Sequence, residues 1–169
     1  MNRHLSRTIV MQSVYEWDFR RDQDIEQVAL RNISQFDAIT DKEYIVPMVN
    51  GIVANIEKID DLIQKSAPDW PLDQVAVIDK TILRLATYEL IIDRSVPAKV
   101  VINEAVELAK SFGSDNSSKF INGVLGTLYR SSDIPKEPEV EEILKTIDSE
   151  VEPDPLPITA HVMPDDEIR

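Results

Sequence analysis

Along residues 5–19 apolar side chains fall at Leu5, Ile9, Val10, Met11, Val14, Trp17 and Phe19, which leaves few polar sides on a helix of that length. A helix with so wide an apolar surface is expected deep in a bundle, with only its start reaching solvent. Residues 25–36 and 40–66 repeat apolar positions at three- and four-residue spacing and predict a second and a third helix. Pro47 and Gly51 lie inside the third. A proline removes a backbone donor, so a kink or a short initial helix is expected there. "SAPDWPLDQ" interrupts the periodicity, and the strongly apolar "VAVIDKTILRLATYELII" at 75–92 predicts a central fourth helix. Pro97 suits the first turn of a fifth.

The segment 101–130 carries two further runs. Ile102, Ala105, Ala109 and Phe112 mark one buried stripe, and Phe120, Ile121, Val124, Leu125 and Leu128 mark the next. Between them Gly113 is placed to end a helix, and Ser114, Asp115 and Asn116 are each suited to cap the one that follows. So short a connection makes the two helices antiparallel neighbours. With four glycines in the chain and no sustained two-residue alternation, the pattern predicts an all-α, compact bundle of six to seven helices. Packing and capping leave Asn103, Lys119, Asn122 and Gly123 without a structural task. Asparagine is locally unfavourable inside a helix.

Charge divides the chain. The 169 residues carry a net charge of -13, of which residues 131–169 contribute -9 and residues 1–130 only -4. Six of the ten prolines, Pro135, Pro138, Pro153, Pro155, Pro157 and Pro164, also lie in the last segment and preclude long regular elements there. The division expected is a helical domain at 1–130 and an acidic, proline-rich tail at 131–169. Within the tail, Val140, Ile143, Leu144 and Ile147 recur at helical spacing, so a short docking helix near 139–150 is one reading and transient structure the other. There is no cysteine, and His4 and His161 are the only histidines, so neither a disulfide framework nor a thiolate or histidine-rich zinc site can be built. No segment approaches the roughly 18 consecutive apolar residues of a membrane span, and the first residues lack a signal-peptide pattern, so a cytoplasmic protein without membrane attachment is expected. Phosphate-binding loop and dinucleotide motifs are absent, and no carboxylate pair or histidine constellation stands out for acid–base work. Asp60 and Asp61 read as surface charge rather than metal ligands. The chain is read as non-enzymatic, with no cofactor.

Three separated blocks then occur in a telling order: "RTIVMQSVYEWDF", "AVIDKTILRLATYEL" and "SVPAKVVINEAVELAKSFGSDNSSKFINGVLGTL". Together they resemble the NusB transcription antitermination family over most of residues 3–130. The resemblance implies an all-helical, non-catalytic protein that binds the boxA element of nascent ribosomal RNA transcripts as single-stranded RNA. It does so together with NusE, a small-subunit ribosomal protein, within the RNA polymerase antitermination complex. By the same resemblance the RNA-binding residues are Arg3, His4, Arg7, Gln12, Tyr15, Lys119 and Asn122, and the protein-partner residues are Arg84, Tyr88, Glu89 and Asp93.

The residue types suit those tasks. Arg3 and Arg7 stand one helical turn apart, so both are expected to face one phosphate backbone, while a helix start adds amide donors and Tyr15 adds a stacking surface. Acidic Glu89 and Asp93 fit electrostatic steering of a basic ribosomal protein. The sequence departs from the family in two places. The arginine-rich start is thinned by Leu5 and Ser6, and Gly126 stands after "NGVL" where the family commonly has an aspartate, which is expected to loosen the final helix. Two alternatives follow: a protein-binding helical adaptor with weak or lost RNA recognition, and a homodimeric module that hides the RNA face. The acidic tail is either a solubilising extension or an arm that competes with RNA for Arg3 and Arg7.

Overall fold

The computed structural model describes residues 2–36 and 41–149, and among these every regular element is helical. Eight α-helices follow in chain order: α1 Arg3–Phe19, α2 Ile25–Ile33, α3 Lys42–Ala54, α4 Ile56–Ser66, α5 Val77–Thr87, α6 Ala98–Phe112, α7 Ser117–Ser131 and α8 Pro138–Ser149. The predicted bundle is therefore present. The surplus over six to seven helices comes from the tail helix and from a division of the third.

That division falls at Asn55 rather than at Pro47. α3 runs through Pro47, and Asn55 leaves helical geometry while its side-chain amide donates to Gly51 O at 2.8 Å. An asparagine that offers the backbone a local alternative ends a helix readily, whereas Pro47 sits exposed with solvent beside it. Asn2, Asp24 and Asp41 cap α1, α2 and α3 by accepting backbone N–H bonds.

The core is one continuous cluster. Ile9, Val10 and Val14 of α1, Ile45, Val49 and Ile52 of α3, Ile59 and Ile63 of α4, and Ile82 and Leu83 of α5 are almost wholly buried in it. α6 and α7 close the far side with Ile102, Leu108, Ile121 and Leu125. At roughly 1.5–3 kcal/mol for each buried aliphatic side chain, this cluster supplies the main favourable term in folding. Phe19 departs from the expectation of a core residue. It is 63 % exposed, and its ring meets the half-exposed Tyr15 edge-on at 5.1 Å.

Two glycines are explained by close approach. A Cβ on Gly51 would lie 2.0 Å from Tyr88 Oη, so the tyrosine ring rests where a side chain would be. Gly113 ends α6 as expected, but with φ -89° rather than in the left-handed region. A Cβ there would meet Ser117, whose hydroxyl accepts the Ser114 N–H at 2.8 Å and ties the tight α6–α7 turn.

α5 does not stop at Thr87. The chain widens into a π-helical turn, Tyr88–Asp93, closed by Arg94 in the left-handed conformation with φ 55°. π-turns inside helices occur frequently at functional sites, and this one carries Tyr88, Glu89 and Asp93.

Candidate nucleic-acid and partner interface

α1 presents its polar residues on two different sides. His4, Thr8, Gln12, Tyr15 and Phe19 follow one another at three or four residues and form a single stripe, of which His4, Gln12, Tyr15 and Phe19 are exposed. Arg3 flanks the start of this stripe with its side chain 45 % exposed, its guanidinium held 3.0 Å from Asp41 and 4.2 Å over the Tyr44 ring. Such a cation over an aromatic face is fixed in place yet still open to solvent on its other side.

Arg7 is placed otherwise. Its Nε and Nη2 donate to Glu89 at 3.0 and 2.9 Å, and the two side chains are 3 % and 2 % exposed. The expectation that Arg3 and Arg7 face one strand together is therefore not met by the geometry. The apolar neighbours Ile9, Val10 and Met11 turn that side of α1 inward, and Arg7 goes with them. Tyr44 completes the site by donating its hydroxyl to Glu89 Oε1 at 2.9 Å. Glu104 stands 3.7 Å from Arg7 Nη1 and accepts from His4 Nδ1 at 2.9 Å. Burial by itself would lower the Arg7 pKa, but the hydrogen bonds and charge of Glu89 more than offset it and hold Arg7 above its ordinary value. Burial, then the Glu89 carboxylate, push the Tyr44 hydroxyl well up, so it remains a donor.

Residues assigned by resemblance to two separate functions thus share one buried pair, Arg7 with Glu89. Glu89, 1 % exposed, does not reach a partner's surface. Arg84 is likewise 2 % exposed, with Nε and Nη2 bound to Asp60 at 2.7 and 2.8 Å and Nη1 3.1 Å from Asp18. Asp60, expected as surface charge, is a half-buried counter-ion to Arg84, while its neighbour Asp61 pairs with the exposed Lys65. Of the partner residues, Tyr88 is half-buried and Asp93 exposed. Both line a groove of about 430 Å³ that also contains Arg3, Glu43, Tyr44 and Met48.

On α7, Lys119 is half-buried, and Asn122 is 1 % exposed. The Asn122 amide donates to Leu144 O at 2.9 Å and to Asp148 Oδ1 at 3.1 Å, both on α8. Asn122 thus has a structural partner that lies outside the 1–130 segment. Gly126 has one as well: a Cβ there would lie 3.3 Å from Leu144 Cδ2, so the glycine gives α8 its seat.

Sequence reasoning missed Tyr44 and Phe19. Tyr44 gives no signal of its own, because its role depends on Glu89, 45 residues away. Phe19 was assigned to the core by its apolar character, although its spacing from Tyr15, Gln12 and Thr8 places it on the polar stripe. Among the described residues no three histidine, aspartate or glutamate side chains are grouped to hold a metal ion, and no helix is long and apolar enough to cross a membrane.

Comparison with known proteins converges on one family. Residues 4–130 match the model of the NusB family. The transcription antitermination protein NusB of Herpetosiphon aurantiacus is 40% identical over 144 residues, covering 83% of this chain and 94% of the relative. That of Chloroflexus aggregans is 43% identical over 129 residues, covering 75% and 85%. Among solved structures, NusB of T. maritima superposes with TM-score 0.72 at 36% identity, covering 84% of this chain and 98% of the other. A structure of the antitermination factors NusB and NusE in complex with dsRNA matches with TM-score 0.70 at 26% identity, over 78% and 100%. With three-quarters of its length accounted for by the same fold and sequence pattern, this chain belongs to the NusB family.

Proposed function

We propose that the protein is a transcription antitermination factor that binds boxA-type single-stranded RNA of nascent ribosomal transcripts together with NusE, and through that complex modifies RNA polymerase. The observation that carries this reading is the exposed stripe of α1. Arg3 and His4 supply donors near a helix start, Gln12 an amide able to read a base edge, and Tyr15 with Phe19 an aromatic pair for stacking. Its relatives bear the name of antitermination proteins, and one solved neighbour contains NusE and RNA.

In this reading NusE docks at the groove of Arg3, Tyr88 and Asp93, where Glu43 and Asp93 give a basic ribosomal protein a complementary rim. Arg7, Arg84 and Glu89 act from inside, holding α1, α3 and α5 in register. The protein acts in the cytoplasm, without catalysis and without a cofactor. Residues 1–130 form the binding unit, and 131–169 are an appended acidic segment.

Size-exclusion chromatography of the chain mixed with NusE and a labelled boxA-type strand tests this directly. Co-elution of all three is the expected result, with loss of RNA but not NusE for Tyr15→Ala. A chain that elutes as a homodimer and takes up neither partner overturns the reading.

A further inference from the structure

α8 lies beyond the residues 4–130 that the family model matches, yet it is docked on the part of α7 that the family resemblance assigns to RNA. Asn122, Gly126 and Arg130 stand four residues apart and form one stripe along α7. α8 runs antiparallel to that stripe and meets it at three successive levels. Glu141 takes Arg130 Nη2 at 3.0 Å, Leu144 sits over Gly126, and Asp148 with Leu144 O takes the Asn122 amide. Glu139 adds a fourth tie by pairing with Lys99 of α6 at 2.7 Å. Two cations and a side-chain amide, the groups a phosphodiester backbone would need, are thereby turned toward carboxylates of the chain itself.

The hold is mainly apolar, with Val140 and Leu144 fully buried in the core and Ile143 packed half-buried beside them. The two ion pairs add less, because Lys99–Glu139 is exposed and Arg130–Glu141 only partly shielded, and such pairs contribute little in water. A twelve-residue helix is marginal on its own. Beneath it the Asn122 Oδ1 is buried with no hydrogen-bond partner among the described residues, so only the nitrogen end of the amide is satisfied by α8.

We propose that α8 is an acidic clasp that occupies in cis a face of α6 and α7 suited to an RNA backbone, and that RNA reaches Asn122 only when α8 lifts. This rests on the RNA-binding reading above. The clasp lies on Lys99, Asn122 and Arg130 rather than on Arg3 and Arg7.

Two charge-neutral changes in the full chain test it. Val140→Ser with Leu144→Ser removes the apolar hold, and Gly126→Gln drives a side chain into the seat of Leu144 while favouring the α7 helix. Hydrogen exchange over 138–149 reports whether α8 is released, and anisotropy of a boxA-type strand with NusE present reports affinity. Released α8 with Kd lowered at least about tenfold is expected, because affinity rises by the reciprocal of the competent fraction and two fully buried side chains keep that fraction below about a tenth. Released α8 with unchanged or weaker RNA binding overturns the clasp, as does tighter RNA binding in a variant whose α8 stays protected. If wild type and variants all fail to bind any RNA, the RNA-binding reading falls first and the clasp with it.

Discussion

Replacing Arg7 by methionine leaves the length of the side chain and removes its charge, so its consequence depends on what surrounds Glu89. In the native chain Glu89 accepts three hydrogen-bond contacts from Arg7 and one from the Tyr44 hydroxyl. Without Arg7, the carboxylate remains in the interior with Tyr44 as its one other close hydrogen-bond donor. Breaking a buried pair by removing one partner costs about 3–5 kcal/mol, chiefly because an uncompensated charge stays behind. At about 2–4 °C per kcal/mol for a chain of this size, Tm should fall by roughly 6–20 °C in calorimetry at pH 7. An unpaired buried carboxylate has a raised pKa, so its proton affinity in the folded state exceeds that in the unfolded state, and the deficit of Arg7→Met should shrink as pH falls. Adding Glu89→Gln to Arg7→Met should recover most of the loss, since the glutamine oxygen still accepts from Tyr44 and no buried charge remains. A single variant that keeps the wild-type Tm while losing RNA affinity would refute this reasoning and return Arg7 to the surface.

Asp79 is buried, and burial raises its pKa against the opposing effect of the Ser117 hydrogen bond. Asp79→Asn should therefore stabilise the protein at pH 7 by about 1–3 kcal/mol, with the gain fading as pH falls through the raised folded value and gone below 3.8, where the carboxyl is protonated in both states. Asp18 has the opposite sign: burial pushes its carboxyl up, but Arg21, Arg84 and Lys80 more than offset this and hold it below 3.8. Its stabilising contribution is complete above that value and lost as pH falls through the lower folded one, so Asp18→Asn should flatten the acid limb of a Tm–pH profile. Gly51→Ala should cost about 1–3 kcal/mol in denaturant unfolding, because its Cβ must displace the Tyr88 ring. An unchanged midpoint would show that the ring moves aside freely.

The helices were legible because each depends on local spacing. The stripes of α6 and α7, the break at 67–76 and the docking helix at 138–149 all follow from where apolar residues recur. The ends were less so: Asn55 rather than Pro47 divides the third helix, because a side chain able to bond its own backbone is as effective a stop as a missing donor. At the site, the types of residue pointed to polyanion and partner contacts, but not the directions in which they face. Arg7 and Glu89 are 82 residues apart in sequence, and only the packing of α1 against α5 decides that they neutralise one another instead of reaching solvent. Gly126 reads as a weakness in isolation and as a seat once α8 is in place. The proline-rich stretch from 150 onward lies outside the described residues.

Fluorescence anisotropy of a labelled boxA-type single strand, titrated with the chain plus NusE against a scrambled strand at two salt concentrations, tests the central claim most directly. Tighter binding of the boxA strand than of the scrambled one, weakening as salt rises and reduced by Arg3→Ala, is the predicted result. Equal affinity for both strands, or no binding by an intact pair of proteins, would contradict it.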